Sequence, residues 1–251
     1  MALEHPELSP CELAVRFTDA RQYFISEASV YRLLKAHDLI TSPAYVVIKA
    51  ANEFKDKTAG INQLWQTDFT YLKITGWGWY YLSTALDDFS RYIVAWRLGP
   101  TMCASDVTAT LDQALAASGL DQIHIKQRPR LLSDNGSSYV AEDLATSLKS
   151  KDIQHVRGAP YHPQTQGKIE RWHQTLKNRI LFENYYLTGD LERQLGSFVE
   201  HYNHRRYHES IDNLTPADVY FGRAESILNE RELIKHETIA NRRLQHRLQA
   251  A

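Results

Sequence analysis

The chain has 251 residues, of which 43% are hydrophobic and 24% charged, and its formal net charge is −1. This composition is ordinary for a globular protein with a sizeable core, and it argues against a strongly basic nucleic-acid-binding chain, although an average can hide local basic clusters. No apolar run is long enough to cross a bilayer, so we expect no membrane partner. The two cysteines, Cys11 and Cys103, form no CxxC motif, which favours reduced thiols inside the cell.

Two short helices are predicted at the start of the chain. Residues 9–12 (Ser-Pro-Cys-Glu) form a capping box with proline at the first helical position, so the first helix should cover residues 10–20. Ser26 can cap a second helix that ends near residue 37. The apolar side of this second helix would carry Val30, Leu33 and Leu34.

The two predicted helices fit two interpretations equally well. One is a helix-turn-helix that shows Ser29, Arg32 and Lys35 on its outer side, with Arg32 and Lys35 contacting DNA. The other is a helical hairpin that packs on the main domain. We assign residues 1–49 to a helix-turn-helix-like DNA-binding region, and residues 50–63, which are polar and contain glycine, to a linker.

Residues 64–222 carry consecutive strands first and then alternating helices and strands. Predicted strands cover residues 64–73, 79–86, 92–98, 130–133 and 153–156. Predicted helices cover residues 104–118, 139–149, 165–183 and 190–207. This order predicts a mixed α/β sheet of five strands flanked by helices, which is the element order of a ribonuclease-H-like fold. We expect Trp65, Trp79 and Trp96 to lie in the core.

Two aspartates stand out in the predicted strands. Asp68 lies in the middle of an aromatic strand, where aspartate is rare because a buried carboxylate must be paired, protonated or bound to a metal. Asp134 ends a short apolar strand just before Asn135 and Gly136, so its side chain can project beyond the sheet edge. An aspartate at such a position is more often a simple turn residue.

A glutamate on a later helix is the third candidate acid. The helix places Ile169, Trp172, Leu176 and Ile180 on one buried stripe, with Glu170 beside it. Such a glutamate among basic residues is usually part of a surface ion pair. Residues 135–169 separate Asp134 from Glu170, a spacing of 35 residues.

The three acids lie inside longer motifs that resemble the catalytic core shared by retroviral integrases and bacterial insertion-sequence transposases, the D,D(35)E group. The matching segments are Trp65-Gln66-Thr67-Asp68, Ser133-Asp134-Asn135-Gly136-Ser137 and His162-Pro163-Gln164-Thr165-Gln166-Gly167-Lys168-Ile169-Glu170-Arg171, followed by Lys177. Residues 202–208 and 214–217 also fit the insertion-sequence branch. The resemblance covers about residues 64–222, which we assign to an integrase catalytic core.

The resemblance implies a DDE-type polynucleotidyl transferase in which Asp68, Asp134 and Glu170 are the catalytic and metal-binding residues. It implies two Mg²⁺ (or Mn²⁺) ions per active site, with Asp68 bridging both ions. Water would cleave DNA at the element end, and the freed 3′-hydroxyl would attack a second phosphodiester. The expected partners are mobile-element ends, target DNA and further copies of the chain. The expected location is the bacterial cytoplasm, with nucleoid association when the protein is bound to DNA.

The same resemblance implies a set of DNA contacts: Lys177, Lys168, Arg171, His162, Gln164 and Asn135. The three basic residues can hold phosphates through charge-assisted hydrogen bonds, and a solvated helix face is the alternative. Residues 155–167 are rich in glycine and proline and resemble the flexible active-site loop of these enzymes.

Two further polar groups have less specific patterns. Asp87 and Asp88 form an acidic pair at a hairpin end, where we expect a structural role. His201, His204 and His208 repeat at helical spacing and could bind a metal, although packing and hydrogen bonding are more usual.

Residues 223–251 predict a C-terminal helical tail, which fits an oligomerisation helix, a DNA-contacting arm or a frayed extension. The chain carries no His/His/Cys/Cys set like the zinc module of retroviral integrases, so the insertion-sequence branch is closer. Two other functions remain open. One is a metal-dependent nuclease on the same fold, and the other is a non-catalytic DNA-binding protein derived from a transposase.

Overall fold

The computed structural model describes residues 1–6, 8–40, 58–121, 128–158 and 166–250. Contacts divide the chain into two compact units. We call Ala50–Arg205 the sheet unit, and Met1–Lys49 with Arg206–Ala251 the helical unit. Residues 206–222, which the sequence analysis assigned to the core, are therefore grouped with both ends of the chain.

The sheet has five strands in the order β3-β2-β1-β4-β5. The strands are β1 (Leu64–Ile74), β2 (Gly78–Asp87), β3 (Ile93–Gly99), β4 (Arg130–Ser133) and β5 (His155–Arg157). The first three strands form an antiparallel meander, and β4 and β5 run parallel to β1. This mixed sheet confirms the predicted one, with strand ends shifted by one or two residues.

The helices lie before, between and after the strands. They are α1 (Pro10–Arg21), α2 (Glu27–Ala36), α3 (Ala104–Ser118), α4 (Ser137–Val140), α5 (Glu142–Ser150), α6 (Gly167–Ile180), α7 (Thr188–His204), α8 (Pro216–Tyr220) and α9 (Ala224–Gln249). The single helix predicted for residues 139–149 is wrong, because Ala141 adopts an extended backbone that separates α4 from α5. Among the described residues, no helix is long and apolar enough to span a membrane.

The main core of the sheet unit lies between the antiparallel strands and the two helices α6 and α7. The spacing of the apolar residues on α6 predicted this contact, and Ile169, Trp172 and Leu176 are completely buried. They pack on side chains such as Leu72 and Leu82, which share one face of the sheet because alternate residues of a strand point the same way.

The predicted burial of the strand tryptophans is only partly right. Trp65 is buried and Trp96 is partly buried, but Trp79 is 53% exposed. Trp79 pairs with Lys73 near the β1–β2 turn, on the face opposite to Leu72 and Ile74. The alternation of side chains along a strand predicts which residues share a face of the sheet. It does not predict how much of that face the helices cover.

The helical unit begins with the two predicted helices. The capping box of Ser9 and Glu12 is present, and Ser26 caps α2. Leu33 was expected on the apolar side of α2 but is 57% exposed, because Val30 and Leu34 suffice to cover Leu13 and Ala14 of α1.

Helix α9 closes the helical unit on α1 and on the residues that follow it. Arg231 makes two hydrogen bonds to the Asp19 carboxylate, at 2.9 and 2.7 Å. The Thr238 hydroxyl accepts a hydrogen bond from the Phe24 N–H at 3.0 Å. The helical unit is thus assembled from segments more than 200 residues apart in the chain.

Candidate functional site

Two of the candidate acids follow the point at which the parallel strands β1 and β4 stop pairing. Gln66 and Leu132 are the last paired residues of the two strands. Asp68 is two residues beyond Gln66 on β1, and Asp134 is two residues beyond Leu132, just after β4 ends at Ser133. Both carboxylates therefore belong to the same end of the β1–β4 ladder.

Asp68 is half-buried and held from two sides. The backbone N–H of Phe69 donates to its Oδ1 at 2.8 Å. Its Oδ2 lies 3.5 Å from Nδ1 of His173, whose side chain is only 9% exposed. Nε2 of His173 is buried without a hydrogen-bond partner. One carboxylate oxygen of Asp68 is thus oriented by the backbone and the other faces a buried imidazole.

Glu170 lies in the first turn of α6, one helical turn before His173. Partial burial raises the pKa of Glu170, the charge on Asp68 raises it further, and His173 opposes the shift. His173, one turn further along α6, contacts Asp68, so Glu170 belongs to the part of α6 that lies nearest the acid of β1. Neighbouring carboxylates concentrate negative charge, which a divalent cation would neutralise.

Tyr139 on α4 lies next to both aspartates. Its side chain is buried, its hydroxyl is 3.5 Å from the Thr67 hydroxyl, and its ring centroid is 5.9 Å from that of Phe69. Burial raises the pKa of Tyr139 well above its usual range, the hydrogen bond to Thr67 opposes this, and the charges on Asp68 and Asp134 add to the increase. Tyr139 therefore remains a neutral phenol beside the two carboxylates.

A tight turn fixes Asp134 after β4. The Gly136 N–H donates to Asp134 Oδ1 at 2.9 Å, and the Asn135 side chain donates to the Gly158 carbonyl at 2.9 Å. A Cβ atom on Gly136 would lie 3.1 Å from Asp134 Oδ1, which is tighter than ordinary contact. The absence of a side chain at Gly136 leaves room for the carboxylate.

The N-terminus of α6 is tied to β1 by a buried polar network. The Gln66 side chain accepts from the Ile169 N–H at 3.1 Å and donates to Asp88 Oδ1 at 2.8 Å. Lys168 donates to Asp88 Oδ2 at 2.6 Å, and Thr58 donates to the same oxygen at 2.6 Å. Since α6 has no capping bond from its own N-cap residue, Gln66 supplies a cap from the neighbouring strand. The structural role predicted for Asp88 is confirmed.

The donor set at this edge of the sheet suits a hard divalent cation. Carboxylate oxygens are the ligands that Mg²⁺ and Mn²⁺ prefer, and Asp68, Asp134 and Glu170 supply only such oxygens. Among the described residues, however, no group of three or more His, Cys, Asp or Glu side chains lies close enough to hold a metal ion. Asp68 and Asp134 follow the same end of the β1–β4 ladder, and Glu170 lies one helical turn from His173, which contacts Asp68.

The predicted DNA contacts lie in different surroundings. Lys177 is two turns past Glu170 and places its Nζ 4.4 Å from the centre of the Tyr71 ring. Arg171 is exposed, whereas Lys168 is bound to Asp88. Two of these contacts, His162 and Gln164, lie outside the described residues. On α2 of the helical unit two more are exposed: Arg32 and Lys35.

Sequence reasoning missed three residues that surround the acids: Gln66, Tyr139 and His173. A histidine on the apolar stripe of α6 was a readable signal for His173, because a buried imidazole needs a partner. Gln66 and Tyr139 gave no comparable signal, since their partners come from distant segments.

Comparisons with known proteins identify related sequences and folds. A family model described as "Integrase core domain" matches residues 59–163, and a second model with the same description matches residues 151–216. Transposase InsF for insertion sequence IS3A of Escherichia coli (strain K12) is 27% identical over 163 residues, covering 63% of this chain and 54% of that protein. The Pol polyprotein of equine infectious anemia virus (isolate 1369) is 32% identical over 174 residues, covering 68% of this chain and 13% of the polyprotein. The chain thus spans about half the length of the curated transposases it matches.

Solved structures show the same fold. The HTLV-2 integrase catalytic core domain in complex with magnesium (trimeric form) has a TM-score of 0.52 at 18% identity, covering 65% of this chain and 99% of that chain. The simian T-cell lymphotropic virus intasome in complex with PP2A regulatory subunit B56 gamma has a TM-score of 0.54 at 19% identity, covering 84% of this chain and 74% of that chain. The predicted ribonuclease-H-like fold is confirmed.

Proposed function

Because the chain belongs to the integrase core domain family of transposases and retroviral integrases, we propose that it is a DNA transposase. It would catalyse metal-dependent DNA strand cleavage and 3′-hydroxyl strand transfer during integration of a mobile element. The observation that supports this proposal is that Asp68 and Asp134 both follow the end of the β1–β4 ladder, together with the contact of His173 with Asp68 one helical turn from Glu170.

Asp68, Asp134 and Glu170 would hold two Mg²⁺ or Mn²⁺ ions. Bound ions supply activation of the attacking oxygen and stabilisation of the leaving oxygen in phosphoryl transfer. The residues of the chain do the positioning. The Phe69 N–H and His173 orient the Asp68 carboxylate, and Gln66 fixes the helix that carries Glu170.

The substrate would be DNA, namely the ends of a mobile element and a target duplex, held by a homo-oligomer. Lys177, Arg171 and Asn135 lie near the acids and would contact phosphates, as would His162 and Gln164. Arg32 and Lys35 on α2 would contribute a second DNA contact from the helical unit. The protein would act in the bacterial cytoplasm, on nucleoid DNA.

The proposal is tested by incubating the protein with supercoiled DNA and with linear DNA that carries element ends, in Mg²⁺ or Mn²⁺. We expect nicked and joined products from the wild type and none from Asp68→Asn. A matched control is Asp143→Asn, which removes an exposed acid of α5 that is not one of the three candidate acids and should leave both products unchanged.

The reaction products also distinguish a transposase from the two alternative functions. Cleavage without joining in every metal would indicate a nuclease on the same fold. DNA binding with neither cleavage nor joining would indicate a non-catalytic DNA-binding protein and would refute the proposal. Equal loss of activity in Asp68→Asn and Asp143→Asn would point to a general loss of stability, and thermal unfolding of both variants measures this directly.

A further inference from the structure

Large aromatic side chains are exposed at the end of the β1–β2 ribbon. Tyr71, Trp77 and Trp79 have exposed fractions of 56%, 62% and 53%. The rings of Tyr71 and Trp79 meet edge to face with their centroids 5.3 Å apart. We call these three residues, with Lys73 and Lys177, the aromatic patch. Clustered aromatic exposure on this scale is costly in water and usually marks a binding surface.

The patch rests on a rigid support. The turn between the strands is built from Gly76 and Gly78, whose positive φ angles of 86° and 99° few other residues adopt. The Trp77 N–H donates to the Ile74 carbonyl at 3.1 Å, and the Thr75 N–H donates to the carbonyl of Tyr185 at 2.8 Å. The ribbon end is thus fixed by backbone hydrogen bonds, so that a ligand binding there would not have to order it.

Two lysines lie among the rings. Nζ of Lys177 is 4.4 Å from the centroid of Tyr71, and Nζ of Lys73 is 6.0 Å from the centroid of Trp79. Ammonium groups beside exposed aromatic rings match a ligand that alternates flat apolar groups with negative charges. A single strand of DNA has this pattern, since its bases stack on rings and its phosphates attract lysines. An apolar protein partner would instead have to cover both cations at a desolvation cost.

The patch lies on the same strand as Asp68 but on the opposite face of the sheet, because Tyr71 and Lys73 alternate along β1 with Asp68 and Leu72. Tyr71 is three residues beyond Asp68 on the same strand, a distance of about 10 Å, and the Lys73–Trp79 pair is about 17 Å from Asp68. Lys177 links the two regions, because it is seven residues, or about 10 Å, beyond Glu170 on α6. A DNA strand held at Asp68 would pass around β1 beside Lys177 to reach Trp79, which takes at least about five stacked nucleotides.

We propose that the aromatic patch binds unpaired nucleotides of a DNA strand at least about five nucleotides from the reacting phosphate, with bases stacked on Trp77 and Trp79 and phosphates held by Lys73 and Lys177. This inference rests on the proposed function for its choice of DNA. It adds that the substrate is unpaired beside the site, since bases inside a duplex cannot stack on side chains.

Binding is measured on the full chain in EDTA, so that no cleavage is needed. A single-stranded oligonucleotide should quench tryptophan fluorescence, because Trp77 and Trp79 are exposed while Trp65 and Trp172 are buried. Trp79→Ala should raise the Kd by between about 5- and 150-fold, the range for the loss of one base–aromatic stack. Lys73→Ala should weaken binding and lower the slope of log affinity against log salt by about 0.7.

The matched control is Phe182→Ala, which removes an aromatic side chain that is 85% exposed and outside the patch. It should leave the Kd unchanged. Equal binding of blunt duplex and single strand, or an unchanged Kd for Trp79→Ala, overturns the inference. Loss of self-association in Trp79→Ala without loss of DNA binding, seen by sedimentation, would assign the patch to a second copy of the chain and overturn it as well.

The measurement is independent of strand transfer. If joining fails in every condition but the oligonucleotide binds through Trp79, the proposed function falls and the binding surface remains. If joining proceeds and the patch variants bind as the wild type does, only the inference about the patch falls. Thermal unfolding of each variant should match that of the wild type, since all the substituted side chains are exposed.

Discussion

Replacing Gln66 with leucine should loosen the contact between α6 and the sheet. Gln66 is 2% exposed, and its side chain bridges the Ile169 N–H of α6 and the carboxylate of Asp88. The hydrogen bond to the charged group contributes about 1.5–3 kcal/mol and the neutral one about 0.5–1.5 kcal/mol. We therefore expect Gln66→Leu to lower the free energy of unfolding of the sheet unit by about 2–4.5 kcal/mol.

The assay is urea unfolding followed by tryptophan fluorescence. All five tryptophans of the chain lie in the sheet unit, so the signal reports on this unit alone. Gln174→Leu is the matched control, because Gln174 lies on α6 but is exposed, and it should change the free energy by less than about 0.5 kcal/mol. A loss below about 1 kcal/mol in Gln66→Leu would show that Gln66 does not anchor α6, and the reasoning would fail.

Three further predictions concern other parts of the chain. Asn203→Leu removes the buried hydrogen bonds to the backbone N–H and carbonyl of Ile93 (2.9 and 3.1 Å), and urea unfolding should show a loss of about 1–3 kcal/mol; no loss would refute the pairing. Arg231→Lys cannot keep the two-pronged bond to Asp19, so amide hydrogen exchange in α1 should accelerate, while unchanged exchange would contradict the assigned role. Burial lowers the pKa of His155 from 6.5, so the folded state binds a proton less readily than the unfolded state does. Stability should therefore fall as the pH drops below about 6.5, and less so in His155→Gln; parallel pH profiles of the unfolding midpoint would exclude this.

The sequence predicted the local elements well, because the signals that define them are local. The capping box at Ser9 and the stripe of Ile169, Trp172 and Leu176 depend on residues three to seven positions apart, and both appear in the structure. The order of strands and helices was also predicted from such local patterns. Asp68 indicated the candidate site, because strands normally avoid aspartate and Asp68 lies within an aromatic strand.

Features that depend on distant segments could not be predicted. The partner of Gln66 on α6 is 103 residues away in the chain, and no periodicity encodes such a contact. The exposure of Trp79 had the same origin, because its burial depends on where other helices end. The contacts that group residues 206–222 with the two ends of the chain likewise depend on tertiary packing.

The helical unit combines segments from both ends of the chain, and this determines the order in which its contacts can form during synthesis of the protein. Every residue of the sheet unit has been made once Arg205 leaves the ribosome, so this unit can fold while translation continues. The hydrogen bonds of Asp19 on α1 cannot form until Arg231 has been made, and the hydrogen bond of the Phe24 N–H cannot form until Thr238 has been made. At about 5–20 residues per second, residues 206–251 take roughly 2–9 s to make. During that interval the N-terminal helices lack their α9 contacts and are available to chaperones and proteases.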